Sequence, residues 1–522
     1  MDQFSPAVEP EDAQAAGRRG SVEADAMGAA SGPVVPGGSP AQPGPAQAWA
    51  ALGGDPALPG RIRRERRPGL LPSALPVLDL ASSTVSVCAL AAAEFLAVRT
   101  GSELVPPVET DDGAVAAAFL SDRLVRTDGR PPVNFAPLSR FWPVADGWVR
   151  THANYPHHRA RLLAALGLPD PGPAEDEATV GRLAAELAER SAHEIEETVF
   201  GAGGLAVAVR TPDEWAAHPQ CAAVARLPLV GSARLDTAAP LDPGAQAGPG
   251  GLAGLRVLDL TRTIAGPVAT RTLALLGAEV LRIDAPDRPE LVDAHADGDL
   301  GKRSTLLDLS SRSGQATFEE LLSGAHLVVT GYRPGALDRF GLAPESLADR
   351  RPGLVVGQLS TWGTAGPWQR RRGFDSLVQA ATGISRIEAG APDEAGTDPA
   401  PGALPAQALD HATGYLLAAG LLRALSEQRA GTAGSRVVRV ALARTAHWLL
   451  HDLPSEPTVE PGGAPVPTGD FDPSPWLTEA DGPLGRLRYV LPPVRFGSPG
   501  SAGPADWSRP PGTAGADPAA WS

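Results

Sequence analysis

The hydrophobic pattern is densest between residues 252 and 309. Residues 256–260 (RVLDL) form a short apolar run with the length of a buried strand. Ala265-Gly266-Pro267 then predicts a tight turn, and 268–276 (VATRTLALL) predicts a helix. Pro267 stands at the helix start, where a missing N–H costs little. Gly277 ends that helix, and 280–283 (VLRI) is a second strand. The pattern is β-turn-α-β, the opening unit of a doubly wound parallel sheet. The expected fold class is therefore α/β, a doubly wound, Rossmann-like domain joined to a smaller α+β domain. The turn aims a helix N-terminus at its ligand, which suits an anion. It is not GxGxxG, so a dinucleotide is only weakly indicated.

Elsewhere the pattern divides the chain into six parts. Residues 1–72 are rich in Pro, Gly and Ala and are expected to be disordered, with GRIRRERRPG as solvated charge. Residues 73–135 predict a helix at 83–98, a β-rich piece and an apolar helix (GAVAAAFLSDRL). The same sequence of elements follows 411–427, ending in RTAHWLLHDL, so 73–135 is expected to be a degenerate repeat. Residues 136–238 read as a small α+β domain, 239–251 as a linker and 252–453 as the sheet domain. Residues 454–522 read as an irregular tail with a closing strand at 482–499. His152, His157 and His158 match no standard zinc spacing and read as packing or surface residues.

Composition narrows the function classes. Sixty acidic against 45 basic residues give a net charge of −15, which argues against nonspecific nucleic-acid binding. An anionic ligand would then need a local basic cluster. Two cysteines, Cys88 and Cys221, give neither a disulfide framework nor a metal site. The first residues lack the apolar core of a signal peptide, and no run approaches the roughly 18 apolar residues of a membrane span. A cytoplasmic protein with no membrane or nucleic-acid partner is expected. Lys302 is the only lysine in the chain.

Five blocks between residues 256 and 431 carry a resemblance: RVLDLTRTIAGPVATRTLALLGAEVLRID, GKRSTLLDL, VVTGYRPGALDRFGLAPESL, LSTWGTAGPWQRRRGFDSLVQAATG and ALDHATGYLLAAGLLRALSEQRAG. Their content and order resemble the class III CoA-transferase (CaiB/BaiF) family, which includes formyl-CoA transferase, carnitine CoA-transferase and α-methylacyl-CoA racemase. The resemblance implies an enzyme moving CoA between an acyl-CoA and a carboxylic acid, with no cofactor beyond CoA as substrate. It also implies that Asp410, in Asp410-His411-Ala412-Thr413-Gly414, is a covalent nucleophile. Without the resemblance, Asp410 reads as a helix cap. By the same carry-over, CoA contacts are expected from Ala265, Gly266, Lys302, Arg303, Tyr332, Arg333 and Arg339. Arg370-Arg371-Arg372 reads as an exposed charged loop, and Asp284 as a candidate partner for a ribose hydroxyl.

In the racemase branch a histidine acts as base in the Gly-x-Asp motif. Here that position is Phe374, which favours transferase over racemase, although His411 stands beside Asp410. Two alternatives remain open, a noncatalytic acyl-CoA-binding scaffold and an acyl-CoA racemase or isomerase. The small-domain-like half precedes the sheet half, unlike the family order. The expected account is a tandem duplication that has lost pieces, either a homodimer or a monomer that mimics one. In the first copy Ala81 or Ser82 falls opposite Asp410, with Asp79 slightly off, so that copy is expected to be noncatalytic.

Overall fold

A seven-stranded sheet organises the molecule. In the computed structural model, which describes residues 42–389, 399–454, 471–497 and 504–522, its strands run in the order Arg303–Leu306, Glu279–Asp284, Arg256–Leu260, Leu327–Thr330, Val355–Ser360, Arg436–Ala441 and Gly231–Arg234. The first six are parallel and the last is antiparallel. From Arg256–Leu260 the chain winds outward through Glu279–Asp284 to Arg303–Leu306. It then returns to Leu327–Thr330 on the other side. The strand order thus reverses between Arg256–Leu260 and Leu327–Thr330, the kind of switch point beyond whose carboxyl ends doubly wound sheets bind ligands. The inner strands are near-continuous apolar runs because helices cover both faces: Leu327–Thr330 is buried throughout.

Three helices, Val77–Thr100, Ala265–Leu275 and Ala408–Arg429, share the main core. Val77–Thr100 is buried on nearly all sides and ends at Gly101, whose φ of 67° supplies the left-handed cap. Its length and composition would also let it cross a membrane, which the sequence reading missed because Asp79, Ser82, Ser83, Thr84 and Ser86 interrupt the apolar run. Here it is a core helix. Gly414 lets the other two helices touch, since a Cβ there would lie 2.5 Å from the Ala265 carbonyl oxygen and 2.8 Å from Val268 Cβ.

The expected disorder of residues 1–72 needs correction for 42–72; residues 1–41 lie outside the described residues. Pro43–Ala51 is a helix, and Ile62–Glu65 is a strand paired in parallel with Val108–Asp111. The basic run is not solvated throughout. Arg64 is buried between Asp79 and Asp112, 2.7 Å from each, and Arg67 pairs with Asp111 at 2.8 Å. Its partners come from later in the chain, so local composition could not reveal the pairing.

The first repeat is a strand, Ile62–Glu65, then helix Val77–Thr100, strand Val108–Asp111 and helix Asp112–Phe119. The second is Val355–Ser360, Ala408–Arg429, Arg436–Ala441 and Leu442–His447, and in both the two strands pair in parallel. The long helices begin Val77-Leu78-Asp79 and Ala408-Leu409-Asp410. Asp79 is therefore the counterpart of Asp410, which corrects the placement of Ala81 or Ser82 there. Arg64 neutralises Asp79, leaving Asp410 as the less encumbered of the two.

Between the repeats, the antiparallel strands Phe141–Val144, Gly147–Thr151 and Ala206–Ala208 pack on helices around their own core of Leu138, Trp142, Leu162, Leu183 and Ile195. The strand Gly231–Arg234, expected within this small domain, instead extends the large sheet. Near the end of the chain, Leu477–Gly482 and Gly485–Val490 form a hairpin that pairs with Arg126–Thr127. The last described stretch lies along the edge strand Arg303–Leu306, with a bridge from Thr305 to Ala516. That contact blunts an edge otherwise open to pairing.

Candidate functional site

Asp410 is the third residue of its helix, and Gln407 occupies the cap position. Among the described residues no backbone N–H of the helix start donates to the Asp410 carboxyl group, so capping does not explain it. The carboxyl is buried, with 6% of the residue exposed. Asp375, the first residue of helix Asp375–Ala381, accepts the Asp410 backbone N–H at 2.9 Å and also a hydrogen bond from Gln379. From the first repeat, Asp122 approaches His411, with Oδ1 3.5 Å from Nε2. Burial, then the Asp375 and Asp122 carboxylates, push the proton affinity of Asp410 well above the ordinary aspartate range. Burial also raises Asp375 to about 6, against the hydrogen bonds from Gln379 and Asp410 N–H and the field of His411. The pair therefore holds a proton at a pH where isolated aspartates are ionised.

A basic cavity of about 340 Å³ lies close in sequence to this pair. It is lined by Arg333, at the carboxyl end of Leu327–Thr330, by Arg370, Arg371 and Arg372, and by Gly203 and Gly204 of the small domain. Arg371 is spent on Glu197, at 2.7 Å. Among the described residues Arg333, Arg370 and Arg372 have no carboxylate partner. Burial, then Arg333, Arg161 and Arg288, lower Arg372 to about 10. Arginines crowded together with this little compensation have the chemistry that suits a multiply charged anion. The loop 370–372 is three residues from Asp375, so one short segment connects the cavity to the carboxyl pair.

The other expected contacts fall in different places. Ala265 and Gly266 start helix Ala265–Leu275 and are buried; a Cβ on Gly266 would meet Thr261 Cβ at 2.2 Å. Tyr332 is exposed beside Arg333, and Arg339 is exposed over the Phe340 ring at 4.5 Å. Lys302 is not presented to a ligand. It is fully buried, and its Nζ donates to Asp259 Oδ2 at 2.9 Å, an oxygen that also accepts from Thr270. The strand RVLDL places a carboxylate in the core, and Lys302 is its counter-charge. Arg303 is drawn away likewise, pairing with Glu279 at 3.1 Å and donating to the Ala520 and Pro518 carbonyls. Asp284 is buried against Arg282 at 2.8 Å, not open to a ribose. Asp122 was not singled out by the sequence; Asp375 stood in the Gly373-Phe374-Asp375 motif without a role of its own, and Arg370–Arg372 read as an exposed loop that could at most add positive field.

The small domain covers this region through the loop after Gly147–Thr151. His152 stacks on Phe374 with ring centroids 3.7 Å apart, and Tyr155 donates to Glu290 at 2.6 Å. Burial lowers His152 to about 3 and His158 to about 2, so both are neutral packing groups at neutral pH.

Comparison with known proteins finds partial matches. Residues 252–477 match the model of CoA-transferase family III. The chain is 33% identical over 233 residues to a probable fatty acyl-CoA transferase of Mycobacterium tuberculosis, covering 41% of this chain and 58% of that protein. It is 30% identical over 215 residues to the succinyl-CoA–L-malate CoA-transferase alpha subunit of Chloroflexus aurantiacus, covering 39% and 49%. A solved structure of a hypothetical protein from Mycobacterium tuberculosis is 33% identical, with a TM-score of 0.33 over 37% of this chain and 56% of that one. The chain spans about half the length of the curated relatives it matches. Over residues 252–477, this chain is similar to CoA-transferase family III.

Proposed function

We propose that the chain moves CoA between carboxylic acids through a covalent intermediate at Asp410, with the CoA phosphates held in the arginine cavity. The observation that carries this reading is a buried carboxyl at a helix start, without a capping role, close in sequence to a cluster of unpaired arginines. The Asp410 carboxylate attacks the acyl-CoA carbonyl carbon. The C–S bond breaks, and a mixed acyl–aspartyl anhydride and CoA thiolate result. The thiolate then attacks the aspartyl carbonyl, releasing the first acid and leaving an aspartyl–CoA thioester. Attack by the second acid and return of the thiolate to its acyl carbon complete the exchange and restore Asp410.

Burial keeps water from the anhydride and thioester, which would otherwise be hydrolysed. Ionised Asp410 is the reactive form, so its raised proton affinity makes the rate climb with pH. Phe374, stacked on His152, has no ionisable group with which to move an α-proton, which favours transfer over racemisation.

Incubation with a panel of acyl-CoAs and hydroxylamine, followed by peptide mass spectrometry, tests the reading. A hydroxamate on Asp410 that is absent from Asp410→Ala is expected. CoA binding without any adduct would overturn nucleophilic catalysis and favour the noncatalytic acyl-CoA-binding role.

A further inference from the structure

We propose that Asp122, delivered by the first repeat, is a positioning residue for the Asp410 site: it orients the His411 imidazole beside that carboxyl. This rests on reading Asp410 as the nucleophile. The site is then completed by both repeats, and the copy that lost its own reactive aspartate to Arg64 still serves the other.

The geometry of the short helix Ser121–Leu124 carries the argument. Ser121 Oγ donates to Asp297 at 2.9 Å and accepts from Arg271 at 3.0 Å. Arg123 donates to the Pro405 carbonyl at 2.5 Å, on the segment leading into the Asp410 helix. The short helix is thus fixed to the sheet domain from two sides. Asp122 Oδ2 is approached by Asn134 Nδ2 at 3.5 Å. Asp122 Oδ1, by contrast, is buried without a hydrogen bond and lies 3.5 Å from His411 Nε2.

His411 is fully buried, neither ring nitrogen has a hydrogen-bond partner among the described residues, and its ring stacks on Phe119 at a centroid distance of 5.3 Å. Phe119 and Asp122 both belong to the first repeat, so that repeat holds the imidazole by its face and its edge. An unsatisfied carboxylate oxygen in the interior is costly, and nothing in the packing requires one here. Two carboxylates from two other elements act on Asp410, Asp375 of helix Asp375–Ala381 and Asp122 of the first repeat, while His411 acts on Asp375. Asp375 is already occupied with Gln379 and the Asp410 N–H. Asp122 is the carboxylate left with an unused oxygen.

The test is infrared spectroscopy of the full chain labelled with 13C at aspartate carboxyl groups. Subtracting the Asp410→Asn spectrum isolates the Asp410 band, whose midpoint is read by pH titration. Asp122→Asn keeps the side chain's size and removes its charge, and the midpoint should fall by about one pH unit or more. Hydroxylamine trapping at Asp410 should shift to lower pH by the same amount. Asp122→Ser, also neutral, should move the midpoint the same way and decides the matter should Asp122→Asn not fold. A midpoint identical to wild type in a folded neutral variant overturns the inference, even where thermal stability drops. A shifted midpoint with no adduct in the wild type would keep the positioning role and sink the nucleophile.

Discussion

At the residue scale, the carboxyl pair gives a stability signature opposite to that of an ordinary ion-paired aspartate. Asp410 and Asp375 bind their protons more tightly folded than unfolded. Their stabilising contribution is present below the usual aspartate range and is lost as pH rises through about 6 and beyond. Asp410→Asn should therefore be more stable than wild type near pH 8, by about 1 kcal/mol or more, with the difference shrinking near pH 4. Thermal melts at the two pH values measure it. The arginines and Lys302 should separate just as cleanly. Arg333→Ala and Arg372→Ala should each weaken CoA binding about tenfold, in a salt-dependent way, with little loss of stability. Lys302→Met leaves Asp259 buried and unpaired, and should cost about 3–5 kcal/mol in denaturant titrations. Asp410 was legible because its short motif is contiguous. Asp375 showed only as part of the Gly-x-Asp motif and Asp122 not at all, since the first meets Asp410 and the second meets His411 only through the folded packing of separate helices.

At the element scale, the legible parts were those whose signal is local. The run 256–260 forms its strand as expected, while the helix expected at 268–276 begins three residues earlier, so that Ala265-Gly266-Pro267, expected as a tight turn, is its first turn. The segment 42–72 was not legible, because its strand needs Val108–Asp111 beside it and its arginines need Asp79, Asp111 and Asp112. Equivalence of the two long helices was half legible: their termini suggested a repeat, but only the observed helix starts set Asp79 opposite Asp410. Gly414 makes the element scale testable. A methyl group there would collide with Ala265 and Val268, so Gly414→Ala should cost about 1–3 kcal/mol. Because the collision lies four residues from Asp410, hydroxylamine trapping should fall along with stability. Unchanged trapping in a destabilised variant would show that the helix start is held independently of this contact.

At the scale of the whole molecule, two units with the same strand–helix–strand–helix order pack together, one within the large sheet and one with a two-stranded sheet of its own. The first repeat packs its long helix against that of the second, and the small domain reaches the sheet through Tyr155, His152 and the strand Gly231–Arg234. Sequence order alone hid this, because neighbours in space come from opposite ends of the chain. The burial of Lys302 has a chemical consequence for the whole surface. The proposed reaction passes through thioesters and an anhydride, which can acylate amines, and such amides do not reverse. This chain has one ε-amine, and it is sealed beneath the sheet against Asp259. Prolonged exposure to a reactive acyl-CoA should leave the native chain free of lysine amides, while the same exposure in denaturant should modify Lys302. The chain's own surface thus offers no lysine side chain to intercept an activated acyl group.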